Sequence, residues 1–180
     1  MSRGPRRGGA AVLIGFMGAG KSSVGRLLAA RLGAEFIDLD ARIEASAGCS
    51  VREIFASQGE GVFRQMEREA IREAVAGPGR VIAAGGGAFL DPGNRALLKG
   101  YAPVILLSAS PETVIRRLSL DESRPLLGDG DREEKVRELM ARRRESYGEA
   151  DFAVDTDGRT VRQVAERVAE LLGSRKGRRK

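Results

Sequence analysis

A chain of 180 residues, 42% hydrophobic and 31% charged, is long enough to bury one substantial core and ordinary in balance for a globular domain. It has no histidine and a single cysteine, Cys49, which excludes histidine triads, histidine metal sites, an intrachain disulfide and a cysteine zinc site. The formal net charge is +6, but Arg3, Arg6 and Arg7 with Arg175, Lys176, Arg178, Arg179 and Lys180 supply +8 without one acid, so residues 9–173 carry −2.

The basic excess therefore sits in Gly/Ser/Arg/Lys-rich ends, which read as disordered tails at 1–9 and 174–180 around a single domain at 10–173. Such ends attract phosphate weakly, and no specific nucleic-acid partner is expected of a slightly acidic body with two tyrosines and no tryptophan. No apolar run approaches the roughly 18 residues of a membrane span. The apolar stretch Ala10–Ile14 is also too short for a signal-peptide core. A cytoplasmic protein without a membrane partner is expected.

In chain order, Ala11–Ile14 is a short apolar run that suits a buried strand. Val24, Leu27, Leu28 and Leu32 then recur at helical spacing from Lys21 to Leu32, with Gly33 as the stop. Glu35–Asp38 is a second strand candidate. Ser50-Val51-Arg52-Glu53 is a capping box opening a short helix, followed by a longer helix with Val62, Phe63, Met66, Ala70, Ile71 and Ala74 on one side. Gly77-Pro78-Gly79 ends that helix. Arg80–Ala84 is a third strand, interrupted by Gly85-Gly86-Gly87, and Pro103–Leu107 a fourth.

Ser110-Pro111-Glu112 starts another helix with an N-cap serine and proline at the first helical position. Residues 119–130 lack periodicity and contain Pro125, Gly128 and Gly130, the signature of an exposed loop. A charged helix is expected over about 131–147, a weak strand over 152–154, and a last helix from the capping box Thr160-Val161-Arg162-Gln163 to near Leu172. Strands alternating with helices predict an α/β domain whose parallel sheet is covered on both faces.

The strongest local signal is Gly15-Phe16-Met17-Gly18-Ala19-Gly20-Lys21-Ser22, which fits G-x-x-x-x-G-K-[ST] between a strand and a helix. Small residues let backbone N–H groups close around phosphate oxygens, and the following helix aims its positive end at them. Lys21 supplies a mobile charge for the β- and γ-phosphates, and Ser22 a hydroxyl for Mg²⁺. A nucleoside triphosphate is expected here.

Three further features add to the phosphate loop. In Asp38-Leu39-Asp40, alternation along a strand puts two carboxylates on one side at its C-terminal end. One could serve Mg²⁺ and the other a hydroxyl, or both could cap a following helix. Gly85-Gly86-Gly87 suits close approach of backbone to a ligand, or a plain tight turn. Arg64 stands one turn before Glu67 on the long helix, either oriented by it or on a solvated face.

The ordered set resembles the shikimate kinase family from Val12 to about Ala150. It comprises Gly15 to Ser22, Asp38-Leu39-Asp40, Gly48 to Phe55, Gly59-Glu60, Phe63-Arg64, Glu67, the glycine triplet, Arg124-Pro125-Leu126-Leu127, and Arg143 four residues before Tyr147. Ser23 and Ala84 depart from the pattern, where threonine is usual at both positions. The resemblance implies a three-layer P-loop kinase fold with five parallel strands in the order 2-3-1-4-5. It implies phosphoryl transfer from MgATP to the 3-hydroxyl of shikimate, in aromatic amino acid biosynthesis; a monomer is expected.

It also implies roles. ATP would be held by Gly18, Ala19, Gly20, Lys21, Ser22, Ser23, Arg117 beside the adenine, and Arg124 on a lid closing over the phosphates. Shikimate would be held by Asp40 at the reacting hydroxyl, by Arg64 and Arg143 at the carboxylate, and by Gly85, Gly86 and Gly87 around the ring. Mg²⁺ would be held by Ser22 with Asp38, and catalysis would rest on Lys21, Asp40 and Arg124. Rival readings are another small-molecule kinase such as a gluconate kinase, a nucleic-acid-associated NTPase, and a non-catalytic kinase-like binding module.

Overall fold

A computed structural model describes residues 9–119 and 132–176. Arg124 and the expected lid beyond Ser119 lie outside them, as do residues 1–8 and 177–180.

Strand β1 (Ala11–Ile14) is apolar throughout, as a parallel strand covered on both faces must be, and all four residues are buried. It lies between β3 (Arg80–Ala83) and β4 (Val104–Ser108), with Val12 opposite Ile82 on one side and Val104 on the other. Among the described residues, β2 (Glu35–Asp38) and β5 (Phe152–Asp155) complete one parallel sheet in the order β2-β3-β1-β4-β5. The order reverses direction at β1, so the crevice beyond its C-terminal end is where a ligand site is expected.

The alternation within β1 divides the core. Ala11 and Leu13 face helices α1 (Lys21–Leu32) and α7 (Val161–Lys176), packing with Val24, Leu28, Val164 and Val168. Val12 and Ile14 face α2 (Leu39–Ala47), α3 (Val51–Ala76) and α4 (Pro92–Tyr101), packing with Ile43, Ile54, Ile71 and Leu98. A smaller cluster of Phe16, Val114 and Val136 ties the loop after β1 to α5 (Pro111–Ser119) and α6 (Arg132–Gly148). Each fully buried leucine or isoleucine contributes roughly 1.5–3 kcal/mol. Leu28→Ala would cost about 2–5 kcal/mol, because rigid neighbours leave a cavity.

The expected capping signals form. Ser50 accepts from the Glu53 N–H while the Glu53 carboxylate accepts from the Ser50 N–H, and Thr160 and Gln163 repeat the exchange at α7. The expected short and long helices both form within α3, separated at Gly59, whose φ of 83° and ψ of 170° break the helical path. Helix α7 runs on to Lys176, past the end expected near Leu172 and into the segment expected as a tail.

One expectation is corrected. Asp38 and Asp40 do not both close β2, because the strand stops at Asp38 and Asp40 lies in the first turn of α2. Asp38 is extended (φ −99°, ψ 115°) and its side chain accepts from the Ala41 N–H at 3.3 Å, so the carboxylate that ends the strand also starts the helix. Helix α4 is equally unmarked by apolar spacing, although Asp91 followed by Pro92 is the same kind of start signal as Ser110-Pro111. No helix among the described residues is long and apolar enough to cross a membrane.

Candidate active site

The half expected to bind a nucleotide is the loop between β1 and α1. Gly15 has φ 149°, and a side chain there would collide with the Leu107 carbonyl of β4, so only glycine lets the chain turn against the sheet. Gly18 and Gly20 are also at positive φ, and Ala19 is buried between them. Lys21 Nζ donates to the carbonyls of Gly15 at 2.9 Å and Phe16 at 3.1 Å, which lays its charge along the loop. Ser22 Oγ donates to Asp38 Oδ2 at 2.5 Å, joining the first turn of α1 to the end of β2. Ser23 is exposed on α1. Arg117 reaches the same loop from α5 and donates to the Gly18 carbonyl at 3.0 Å.

The half expected to hold the acceptor gathers around the glycine triplet. A Cβ on Gly85 would lie 2.6 Å from Asp40 Oδ1, one on Gly86 2.8 Å from Arg143 Nη1, and one on Gly87 2.8 Å from both terminal nitrogens of Arg64. Three consecutive glycines thus admit three charged side chains from three different helices. The plain-turn reading of the triplet does not account for this. The Gly86 position is also 3.7 Å from the Gly15 carbonyl and 3.8 Å from the Met17 N–H, so the two halves abut.

Arg64 is held rather than solvated. Its Nη1 donates to Glu67 Oε2 at 3.0 Å, and its Nε and Nη2 donate to Glu60 Oε1 at 3.2 and 3.0 Å. Three of five guanidinium N–H groups are used, leaving one on each terminal nitrogen for a ligand. Burial works against this charge, but Glu67 and Glu60 outweigh it and raise the Arg64 pKa. The Glu67 side chain is 2% exposed. Burial pushes its carboxyl up, Arg64 pulls it down, and the nearby Asp40 and Asp91 carboxylates add to the rise.

Arg143 lies over the Phe16 ring, its guanidinium carbon 4.8 Å from the centroid. Tyr147, one turn on along α6, donates to the Gly86 carbonyl at 2.6 Å and fixes the triplet from behind. Burial raises the Tyr147 pKa against the opposing pull of Arg143, which keeps the phenol a neutral donor. Glu67 Oε1 and Arg143 Nη1 are buried without a hydrogen-bond partner among the described residues. Buried polar atoms are nearly always satisfied, so both mark places where a ligand or water completes the structure.

Every expected site residue within the described range reaches one of these two halves or the Ser22–Asp38 junction between them, apart from the outward-facing Ser23. Arg124 lies outside the described residues. Glu60 was part of the family-like set without a role of its own, and Thr156 was not anticipated. Glu60 precedes Arg64 by four residues, a spacing that is legible on a helix. Thr156 meets Arg117 across 39 residues of chain, which no local pattern marks.

A parallel sheet of this order, with a phosphate loop after its first strand and a carboxylate and two guanidiniums beside it, defines a P-loop kinase acting on a small molecule. The family model described as shikimate kinase matches residues 17–173. The shikimate kinase of Geobacter sulfurreducens is 47% identical over 168 residues, covering 93% of each chain. The structure of shikimate kinase from Acinetobacter baumannii in complex with shikimate superposes with a TM-score of 0.89 at 37% identity, covering 93% of this chain and 94% of that one. A gluconokinase from Sinorhizobium meliloti shares the fold alone, with a TM-score of 0.56 at 19% identity over 95% of this chain and 99% of that one. The chain belongs to the shikimate kinase family.

Proposed function

We propose that this chain transfers the γ-phosphoryl group of MgATP to the 3-hydroxyl of shikimate, giving shikimate 3-phosphate and ADP for aromatic amino acid biosynthesis. The observation that carries the reading is the meeting of Asp40, Arg143 and Arg64 on Gly85, Gly86 and Gly87, against the phosphate loop. An acceptor with one carboxylate and a ring hydroxyl matches two guanidiniums on one side and a carboxylate on the other.

Phosphoryl transfer depends on alignment and charge neutralisation more than on covalent help. Asp40 holds the reacting hydroxyl in line. Orientation of that hydroxyl, rather than proton removal, is its larger contribution. Arg64 and Arg143 grip the acceptor carboxylate, and the glycine triplet lines the ring. Lys21 turns from its own loop carbonyls to the β- and γ-phosphates. Arg124 adds a second charge from the lid, and Arg117 flanks the adenine.

Ser22 and Asp38 would hold the Mg²⁺. A hydroxyl and a carboxylate 2.5 Å apart suit an ion that keeps water and phosphate oxygens as its other ligands. Among the described residues no group of three or more carboxylates or thiols gathers to form an all-protein cage. The bound ion supplies neutralisation of phosphate charge. In this reading residues 10–173 form the catalytic unit, flanked by the basic ends 1–9 and 174–180. The enzyme works as a cytoplasmic monomer on small molecules, with neither membrane nor specific nucleic acid as partner.

A coupled ADP-release assay with ATP, Mg²⁺ and a panel of hydroxy acids tests the reading. ADP release dependent on shikimate and weak with gluconate is expected. The reverse preference would reassign the acceptor, and release without any acceptor would point to a simple NTPase.

A further inference from the structure

The phosphate loop has a tie that lies outside both its own motif and the acceptor cluster. Arg117 spans from α5 to the end of β5. Its Nη1 donates to the Gly18 carbonyl at 3.0 Å and to Thr156 Oγ1 at 3.1 Å, while Nη2 donates to the Thr156 carbonyl at 3.2 Å. Thr156 directly follows β5 and is 2% exposed. Its own N–H donates to the Ser108 carbonyl of β4 at 2.9 Å, which fixes it to the sheet. The neighbouring Asp157 accepts the Ser110 N–H at 3.0 Å and so anchors the start of α5 to the same segment. A long, rotatable side chain is thereby pinned at both ends, with the sheet on one side and Gly18 on the other.

We infer that Thr156 is a positioning residue for nucleotide binding: its hydroxyl holds the Arg117 guanidinium across the Gly18 carbonyl and keeps the phosphate loop in its binding shape. The inference rests on the assignment of Gly15 to Ser22 as the ATP loop. Without the hydroxyl, Nη1 keeps only Gly18 and Nη2 keeps the Thr156 carbonyl. The guanidinium can then rotate about the single remaining tie to the sheet and release Gly18. One hydrogen bond to a charged donor corresponds to on the order of tenfold in affinity.

Thr156→Val removes the hydroxyl at constant shape, Thr156→Ala removes it with the methyl group, and Thr156→Ser retains it. ATP and ADP binding to the full chain is measured by titration calorimetry, together with initial-rate kinetics and a melting curve for each variant. ATP and ADP affinity should fall about tenfold in the valine and alanine variants. The KM for shikimate and kcat at saturating ATP should stay within about twofold, and serine should restore binding. In an Arg117→Ala background, Thr156→Val should cost nothing further, because both changes remove the same tie.

Unchanged nucleotide affinity alongside a lowered Tm would overturn the inference, making the hydroxyl a packing group. Equal losses for both substrates, or full additivity with Arg117→Ala, would do the same. A wild-type chain that binds no nucleotide sinks the phosphate-loop assignment as well. Normal wild-type binding with indifferent Thr156 variants sinks this inference alone.

Discussion

The proposed nucleotide half of the site is contiguous, eight residues running from the end of β1 into the first turn of α1, whereas the proposed acceptor half is drawn from four segments that meet only in the folded chain. The first half offers mainly backbone, shaped by glycines at positive φ and backed by Lys21 and the end of a helix. The second offers charged side chains, Asp40, Arg64 and Arg143, admitted by three missing β-carbons, with Arg64 held by the buried Glu67 carboxylate. A backbone site is secured by its local turn and fails when its one mobile charge is lost. A side-chain site depends on partners from several helices, so small displacements in any of them reach the ligand. The two halves should therefore break differently.

The largest effect is expected in the nucleotide half. Lys21→Ala should lower kcat by about 10²–10³, since a group aimed at a transferring phosphoryl commonly contributes that much. Its melting temperature should hold near that of the wild type, because the ammonium donates to carbonyls of its own loop. Near-normal turnover would overturn the loop assignment.

Next comes Arg64→Lys, which keeps the charge but loses the planar fork. A charge-assisted bond worth roughly 1.5–3 kcal/mol corresponds to about a ten- to 150-fold rise in the KM for shikimate. The KM for ATP should barely move. A parallel rise in both constants would mean that the halves are not separable in this way.

A smaller loss, about tenfold in the acceptor KM, is expected for Gly86→Ala. The new methyl group would sit 2.8 Å from Arg143 Nη1, the far end of a flexible side chain, so the guanidinium shifts while the fold stays intact. Unaltered acceptor kinetics would show that Arg143 has room to spare and that the triplet serves only the turn.

The smallest effect concerns stability. Burial raises the Glu67 carboxyl above its ordinary 4.5, so between 4.5 and the folded value the native state holds a proton that the unfolded chain has released. Native stability should therefore fall as pH rises through that window, by about 1.4 kcal/mol for each pH unit within it. Glu67→Gln cannot titrate and should lack that slope. Urea unfolding of both proteins across pH 4–8 checks this, and a pH-independent difference between them would contradict burial as the dominant cause.

Much of this was legible beforehand because it is local. The phosphate loop, the two capping boxes and the β1 run each declare themselves within eight residues, and each forms where expected. Asp40 was misplaced because Asp38-Leu39-Asp40 alternates as a strand does, while the cap that Asp38 places on Ala41 turns the chain into α2 one residue earlier. Helix α4 escaped notice because Leu97 and Leu98 are too few to set a period, although Asp91-Pro92 marks its start. The meaning of the triplet was the least legible feature. Glycines advertise space without saying what fills it, and only the tertiary fold brings Asp40, Arg64 and Arg143 there.

The central claim is that Arg64 holds the acceptor's carboxylate, and one thermodynamic cycle reads it directly. Binding of shikimate and of its neutral carboxamide is measured with the wild type and with Arg64→Ala. The amide should bind the wild type about tenfold or more weakly than shikimate, and the penalty should largely vanish in Arg64→Ala, because both changes delete the same contact. If the two penalties add in full, Arg64 does not touch the carboxylate and the acceptor assignment fails.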